Sequence, residues 1–346
     1  MIRFVGEIRD SSWAKPVSAS SRTFHALIGS PTKNITFVKP WGVAVDSRGR
    51  VFVTDQGHQK VAVFDREGKR FDWLGNSGNG SLTTPTAITT DGRDHVFVSD
   101  SATHRVVEYD ADFKYVMSYG GTEGPGALGV PAGVRVSDDR HELWVADTEA
   151  SVLKVYTVGG DFLRQVGSQG PGDGQFYKPI GLALTKDRVY VADMLNFRVE
   201  VIDFDGNHIR QWGGNCNQPG CFQRVKGIDV DSLGNVYVAD AAFDNVQMFD
   251  PDGQLLMFFG TGGERPADLY LPAGLDVDTK DHIWVVSQYS WRVSEFEFLG
   301  VPKAPPAAPE IPLPPAESPP SGAREPEGPT DGSFPTDLPQ SHSKAG

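Results

Sequence analysis

Five aspartates, Asp55, Asp100, Asp147, Asp193 and Asp240, each close a short apolar run. A ring of carboxylates is an arrangement that can hold a divalent cation. Their regularity argues for another role. The intervals between them are 45, 47, 46 and 47 residues, and a side chain that serves every repeat alike does a repeat's work. We read these acids as acceptors for backbone N–H groups at turns, or as partners of Lys60, Arg105 and Arg198. A reactive site should instead break the repeat. Of the eight histidines, His58 and His104 fall in corresponding loops of neighbouring repeats, one register apart. A third ligand is missing: Ser151, Phe197, Asp244 and Trp291 stand in the equivalent places, so the pair is read as solvated. His95, His141 and His282 each precede an apolar run, in separate repeats. The stretch Asp229-Val-Asp231-Ser-Leu-Gly234 opens like a calcium loop. Leu233 stands where an oxygen ligand is required, and no Glu follows at the twelfth position. No phosphate-binding glycine loop, His-Glu-x-x-His or Gly-x-Ser-x-Gly is present. No catalytic residue and no metal ligand is assigned.

Cys216 and Cys221 are the two cysteines of the chain. They flank Pro219-Gly220 in the short segment Gly214–Phe222, a placement that suits a disulfide; two reduced thiols are the alternative. Phe222 follows where a haem-attachment motif needs His. A disulfide persists in an oxidising compartment, which points to a periplasmic or secreted protein. Met1–Glu7 has no h-region and does not read as a signal peptide, which leaves the cytoplasm as the alternative.

The composition closes off other classes. With 32 Lys+Arg against 45 Asp+Glu the formal net charge is −13, which is wrong for a phosphate-binding face, so no nucleic-acid partner is expected. No apolar stretch reaches the length of a transmembrane helix. Two cysteines cannot build a disulfide framework or a four-cysteine zinc site. The 39 glycines without collagen periodicity suggest many turns between short strands.

Those strands repeat. Val51–Asp55, Val96–Asp100, Leu143–Asp147, Val189–Asp193 and Val236–Asp240 recur about every 46 residues, and a sixth copy, Ile283–Ser287, has Ser in place of the acid. Pro40-Trp41-Gly42 and its counterparts precede each copy, and pairs such as Leu74-Gly75 and Trp212-Gly213 follow. Each unit reads as four antiparallel strands, a to d, with Gly, Asn, Asp and Pro at the breaks. Six such units predict an all-β fold, a six-bladed β-propeller of four-stranded antiparallel blades. The sixth unit lacks its strand d. One period before Gly75 lies Gly29, so residues 22–29 are expected to close the ring in the last blade, with residues 1–19 as an N-terminal extension carrying one extra strand. The competing arrangement closes with Ile2–Gly6 and leaves 7–39 as one long loop. From 301 to 346 the chain holds 13 of its 25 prolines and one aromatic, and reads as a disordered Pro-rich tail. The propeller then covers 20–300.

The units carry Gly-Val-Ala-Val-Asp (42–46), Val-Phe-Val-Thr-Asp (51–55), Gly57-His58-Gln59-Lys60-Val61 and Val63-Phe64-Asp65; the second keeps His104-Arg105-Val106 and the fourth Asn196-Phe197-Arg198-Val199. This resembles the NHL repeat, and the whole is similar to stand-alone bacterial six-bladed propellers that are usually exported. The resemblance implies the fold. For function it implies a wide range, from RNA- and protein-binding modules to the amidating lyase of peptide-hormone maturation, whose metal-binding histidines have no matching set here.

The b–c loops diverge where the rest of the repeat does not. They offer His58, His104, Asn196, Phe197, Phe243, Tyr289 and Trp291 as candidate binding residues, and loop aromatics are enriched at interfaces. The reading is a monomeric, non-enzymatic scaffold that binds a protein partner through the b–c loop face, with no cofactor. The alternative is a metal-dependent lyase or hydrolase with a divalent metal at the channel mouth.

Overall fold

Blade 5 shows why this sequence folds as it does. Strand a, Val225–Val230, ends at a turn in which the Asp231 carboxylate accepts the N–H groups of Leu233 at 3.0 Å and Asn235 at 2.8 Å. Gly234 takes φ +85° there, a left-handed conformation that costs glycine no clash. Strand b, Val236–Asp240, is buried along its whole length, and strand c, Asn245–Phe249, nearly so. Asp250 organises the next turn in the same way, and strand d, Leu255–Phe259, alternates half-buried and exposed residues as an outer edge must.

The structure, a computed structural model, describes residues 1–14 and 34–300. Six four-stranded antiparallel sheets of this kind form the propeller. Neighbouring blades bury their faces against each other. Tyr237, Val246 and Met248 of blade 5, for example, share one apolar cluster with Leu275, Ile283, Val285 and Phe296 of blade 6. The innermost strands come close around the axis because strand a of five blades carries glycine at its third position. A Cβ on Gly181 would stand 2.3 Å from the Lys226 carbonyl oxygen, and one on Gly227 2.4 Å from that of Ala273.

Ring closure differs from the expectation. The fourth strand of blade 6 is Ile2–Ile8, paired antiparallel with Arg292–Phe298. Ile8 faces Val293 as Leu74 faces Val61 in blade 1, so it fills the d-strand terminus that the period assigns to residue 28. The extra strand of the supposed extension is therefore the closing strand, and the folded unit includes residues 1–14. Segment 22–29 lies outside the described residues. The physical reason is an insertion between strand d and blade 1. Part of it packs: Trp13 sits edge-on against Phe64 and Trp284, and Asp10 bridges to Thr36. The Pro-rich segment 301–346 also lies outside the described residues.

Candidate binding face and axial channel

The repeated acids are structural. The Asp55 carboxylate accepts the N–H groups of Val38 at 2.8 Å and Lys39 at 3.0 Å, and those of Gly57 and His58. Asp100 does the same for Thr83 and Thr84, Asp147 for Gly129 and Val130, and Asp240 for Gln223 and Arg224. All are buried. The carboxylates of Asp55, Asp147, Asp193 and Asp240 also bond their own b–c loops, which places both loop sets on one face. Asp193 also binds Asn196 and Arg198, and burial raises its pKa despite these partners. In blade 6 Ser287 accepts Tyr270 N–H at 3.4 Å. The next amide, Leu271, turns to Asp244 of the preceding blade at 2.7 Å.

The candidate residues divide into two groups. His58 stacks on Trp73 with 4.7 Å between ring centres, His104 Nδ1 bonds the Gly129 carbonyl, and Asn196 donates to Gly170 O at 2.9 Å. These three secure the loops. Phe197 and Phe243 are half-buried, whereas Tyr289 and Trp291 are 60 % and 57 % exposed. Tyr289 stacks on Tyr270 of the incoming loop, 4.5 Å between centres. One feature unites the b–c loops. Gln59, His104, Ser151, Phe197, Asp244 and Trp291 occupy the same corner, each with φ between 48° and 57°. A bulky side chain is strained in this left-handed region by roughly 1–2 kcal/mol, so backbone geometry does not select the aromatics at 197 and 291.

Exposed apolar side chains on this face include Val38 of the loop entering blade 1, and the exposed aromatics among them lie at blades 4 and 6. Tyr177 and Leu195 stand exposed at blade 4 and Tyr289 and Trp291 at blade 6. Between them Phe243 of blade 5 lines a recess with Asn217, Gln218 and Pro219 of the loop that Cys216 and Cys221 close as a disulfide. Among the described residues no three His, Cys, Asp or Glu side chains gather closely enough to hold a metal ion.

The inner strands surround a narrow axial cavity of about 40 Å³. Arg135 of blade 3 reaches across it to Asp229 of blade 5 at 3.2 Å and Asp276 of blade 6 at 3.8 Å. The two carboxylates also accept inward-facing N–H groups of the next blade: Asp229 takes Val277 and Asp276 takes Val45, both at 2.9 Å. Burial, and then the Asp229 charge, pushes the Asp276 carboxyl up to about 8. Nearer the b–c face, the Lys226 amine donates to Gln288 Oε1 at 2.5 Å and lies over the Trp41 ring. None of these channel residues was singled out as a site from sequence. The signal was present: along the strand-a column Ala44, Thr89, Arg135, Ala183, Asp229 and Asp276 align, and three charges interrupt it.

Comparison with known proteins agrees with this architecture. The NHL repeat model matches residues 37–64, the entry loop and first three strands of blade 1. A protein of unknown function from Bacteroides thetaiotaomicron superposes with a TM-score of 0.62 at 15 % identity, over 76 % of this chain and 70 % of that one. Virginiamycin B lyase from Staphylococcus aureus gives 0.57 at 13 %, over 86 % and 100 %. The nidogen/laminin complex gives 0.52 at 17 %, over 69 % and 88 %. At these identities the likeness is one of fold.

Proposed function

We propose that this NHL-repeat propeller is a binding scaffold that docks a protein partner on its b–c loop face, over blades 4 to 6. The observation that carries the reading is the exposed pair Tyr289 and Trp291, continued by Tyr177 and Leu195 on the same face. Exposed aromatics clustered on one face are the usual anchors of a protein interface, and a patch of this kind is otherwise a solubility liability. Trp291 holds a left-handed backbone position that Gly or Asn would fill more easily, which supports a role for its side chain in contact. Among proteins of this fold, the nidogen/laminin complex is an assembly of proteins.

Affinity capture with the full chain tests the reading when each bait is run against a face variant. Tyr289→Ala and Trp291→Ala are each expected to weaken capture of the same protein by about 1–3 kcal/mol. Stability should change by under about 0.5 kcal/mol, since both side chains are mostly in water. Undiminished capture by the double variant, with its melting point intact, would remove the face from consideration.

The metal-dependent lyase or hydrolase at the channel mouth is the second reading, because virginiamycin B lyase, which shares this fold, is an enzyme. Stoichiometric zinc or calcium in protein purified without chelators would favour it over the scaffold.

The disulfide places the protein, in our proposal, in an oxidising compartment, periplasmic or secreted. Intact mass of protein taken from its native compartment under non-reducing conditions should be lighter by two hydrogens than the reduced chain. Two free thiols would count against both the bond and the location. Because the loop is short, Cys216→Ser with Cys221→Ser is expected to cost no more than about 2 kcal/mol of stability.

A further inference from the structure

Lys226 opens the second position of the inner strand of blade 5, at the channel mouth on the b–c face. Its amine lies 4.8 Å from the centre of the Trp41 ring and is hydrogen-bonded by Gln288. Neither partner carries charge. Among the described residues no carboxylate lies within ion-pairing distance of it. The one charged group that bears on it is Arg224, which is also a cation. Asp229 and Asp276 belong to a level three residues deeper and are engaged by Arg135 and by the Val277 and Val45 amides. Burial, reinforced by Arg224, pushes the Lys226 amine down to about 8. A partly desolvated cation without a counter-ion is relieved by an arriving anion.

We propose that the channel mouth is a carboxylate-binding site, and that an acidic side chain of the docking protein enters it while the partner rests on blades 4 to 6. The inference rests on the scaffold reading above and names the chemistry of the partner. Continuity supports it: Gln288, which holds Lys226, directly precedes Tyr289 of the exposed pair. Shape supports it as well. Below the mouth, Gly42, Gly181, Gly227 and Gly274 bring the inner strands within contact, so the opening admits a side chain and not a backbone element. Charge decides the class, since a chain of net charge −13 places at the mouth a cation that pairs with no carboxylate among the described residues.

The test uses the full chain and two probes, N-acetylglutamate α-amide and its uncharged N-acetylglutamine counterpart, followed by the fluorescence of Trp41 and assigned with Trp41→Phe. The acidic probe is expected to give a saturable change at about pH 7, with the uncharged probe at least about tenfold weaker. Raising the pH to about 9.5 should weaken the acidic probe by at least about tenfold, because the amine then loses its proton. Lys226→Met should abolish the response without lowering the melting point, and Lys226→Arg should restore it. Equal responses to the two probes, no response to either, or a response that survives in Lys226→Met overturns the proposal. Its failure is separable from that of the docking face. If Lys226→Met captures the same protein as fully as the wild type while Trp291→Ala does not, the carboxylate site falls and the face stands.

Discussion

Arg135→Met is expected to destabilise the propeller by about 3–5 kcal/mol at pH 8, the range for removing one partner of a buried ionic cluster. Among the described residues the guanidinium is the only cation that pairs with Asp229 and Asp276 across the channel. Without it two carboxylates share a low-dielectric space. They are not free to turn away, because Asp229 accepts Val277 N–H and Asp276 accepts Val45 N–H. The loss should depend on pH. Asp276 already holds its proton more tightly in the folded chain than in the unfolded one. A carboxyl with a raised folded pKa contributes most stability below its unfolded value, near pH 4, and that contribution is lost as pH rises through about 8. The variant should therefore regain much of its stability between pH 8 and pH 5. Asp276→Asn in the wild-type background should flatten that part of the profile. Urea denaturation at the two pH values measures both effects. Equal destabilisation at pH 5 and pH 8 would show that Arg135 acts by packing alone.

That cluster marks a boundary of what a sequence discloses. The blades were legible because their causes are local. An apolar run such as Val236–Ala239, a turn glycine such as Gly234 and an acid at the end of strand b recur at one period, and each does the same work in most blades. The roles of Asp55 and Asp100 followed from that recurrence. Arg135 and Asp229 lie 94 residues apart, and no local pattern announces that an axis will bring them together. Asp229 was visible only as part of a failed calcium loop. Phe197 and Trp291 were legible as departures from the repeat, but the left-handed corner they share is a backbone property that six different side chains conceal. The histidines misled in another way. His95 and His282 each bond a glutamate on strand c, Glu108 and Glu295, at 2.7 Å, an internal pairing that their loop position did not suggest.

Closure was the largest departure, and it yields the second strong expectation. Removal of residues 1–9 should abolish cooperative folding of the monomer. The period counts along the chain and steps over the insertion before blade 1, so it missed the strand that completes blade 6. The strand itself serves two interfaces. A bulge between Phe4 and Gly6 reverses the alternation. Ile2 and Phe4 therefore pack into the cluster between blades 5 and 6, whereas Ile8 joins the cluster between blades 6 and 1. Truncation would strip both faces and leave Arg292–Phe298 as an unpaired edge, a template for pairing with a second chain. The truncated protein should accordingly elute as oligomers or aggregate, and a peptide spanning residues 1–14 added in trans should restore the monomer. Point changes separate the strand's contribution from that of its backbone. Ile8→Ala, at a fully buried position, should cost about 2–5 kcal/mol. Val5→Asp, on the exposed side of the same strand, should cost under about 0.5 kcal/mol. A monomeric, cooperatively melting truncation would mean that another segment can close the ring, since an open blade 6 would leave its apolar face against water.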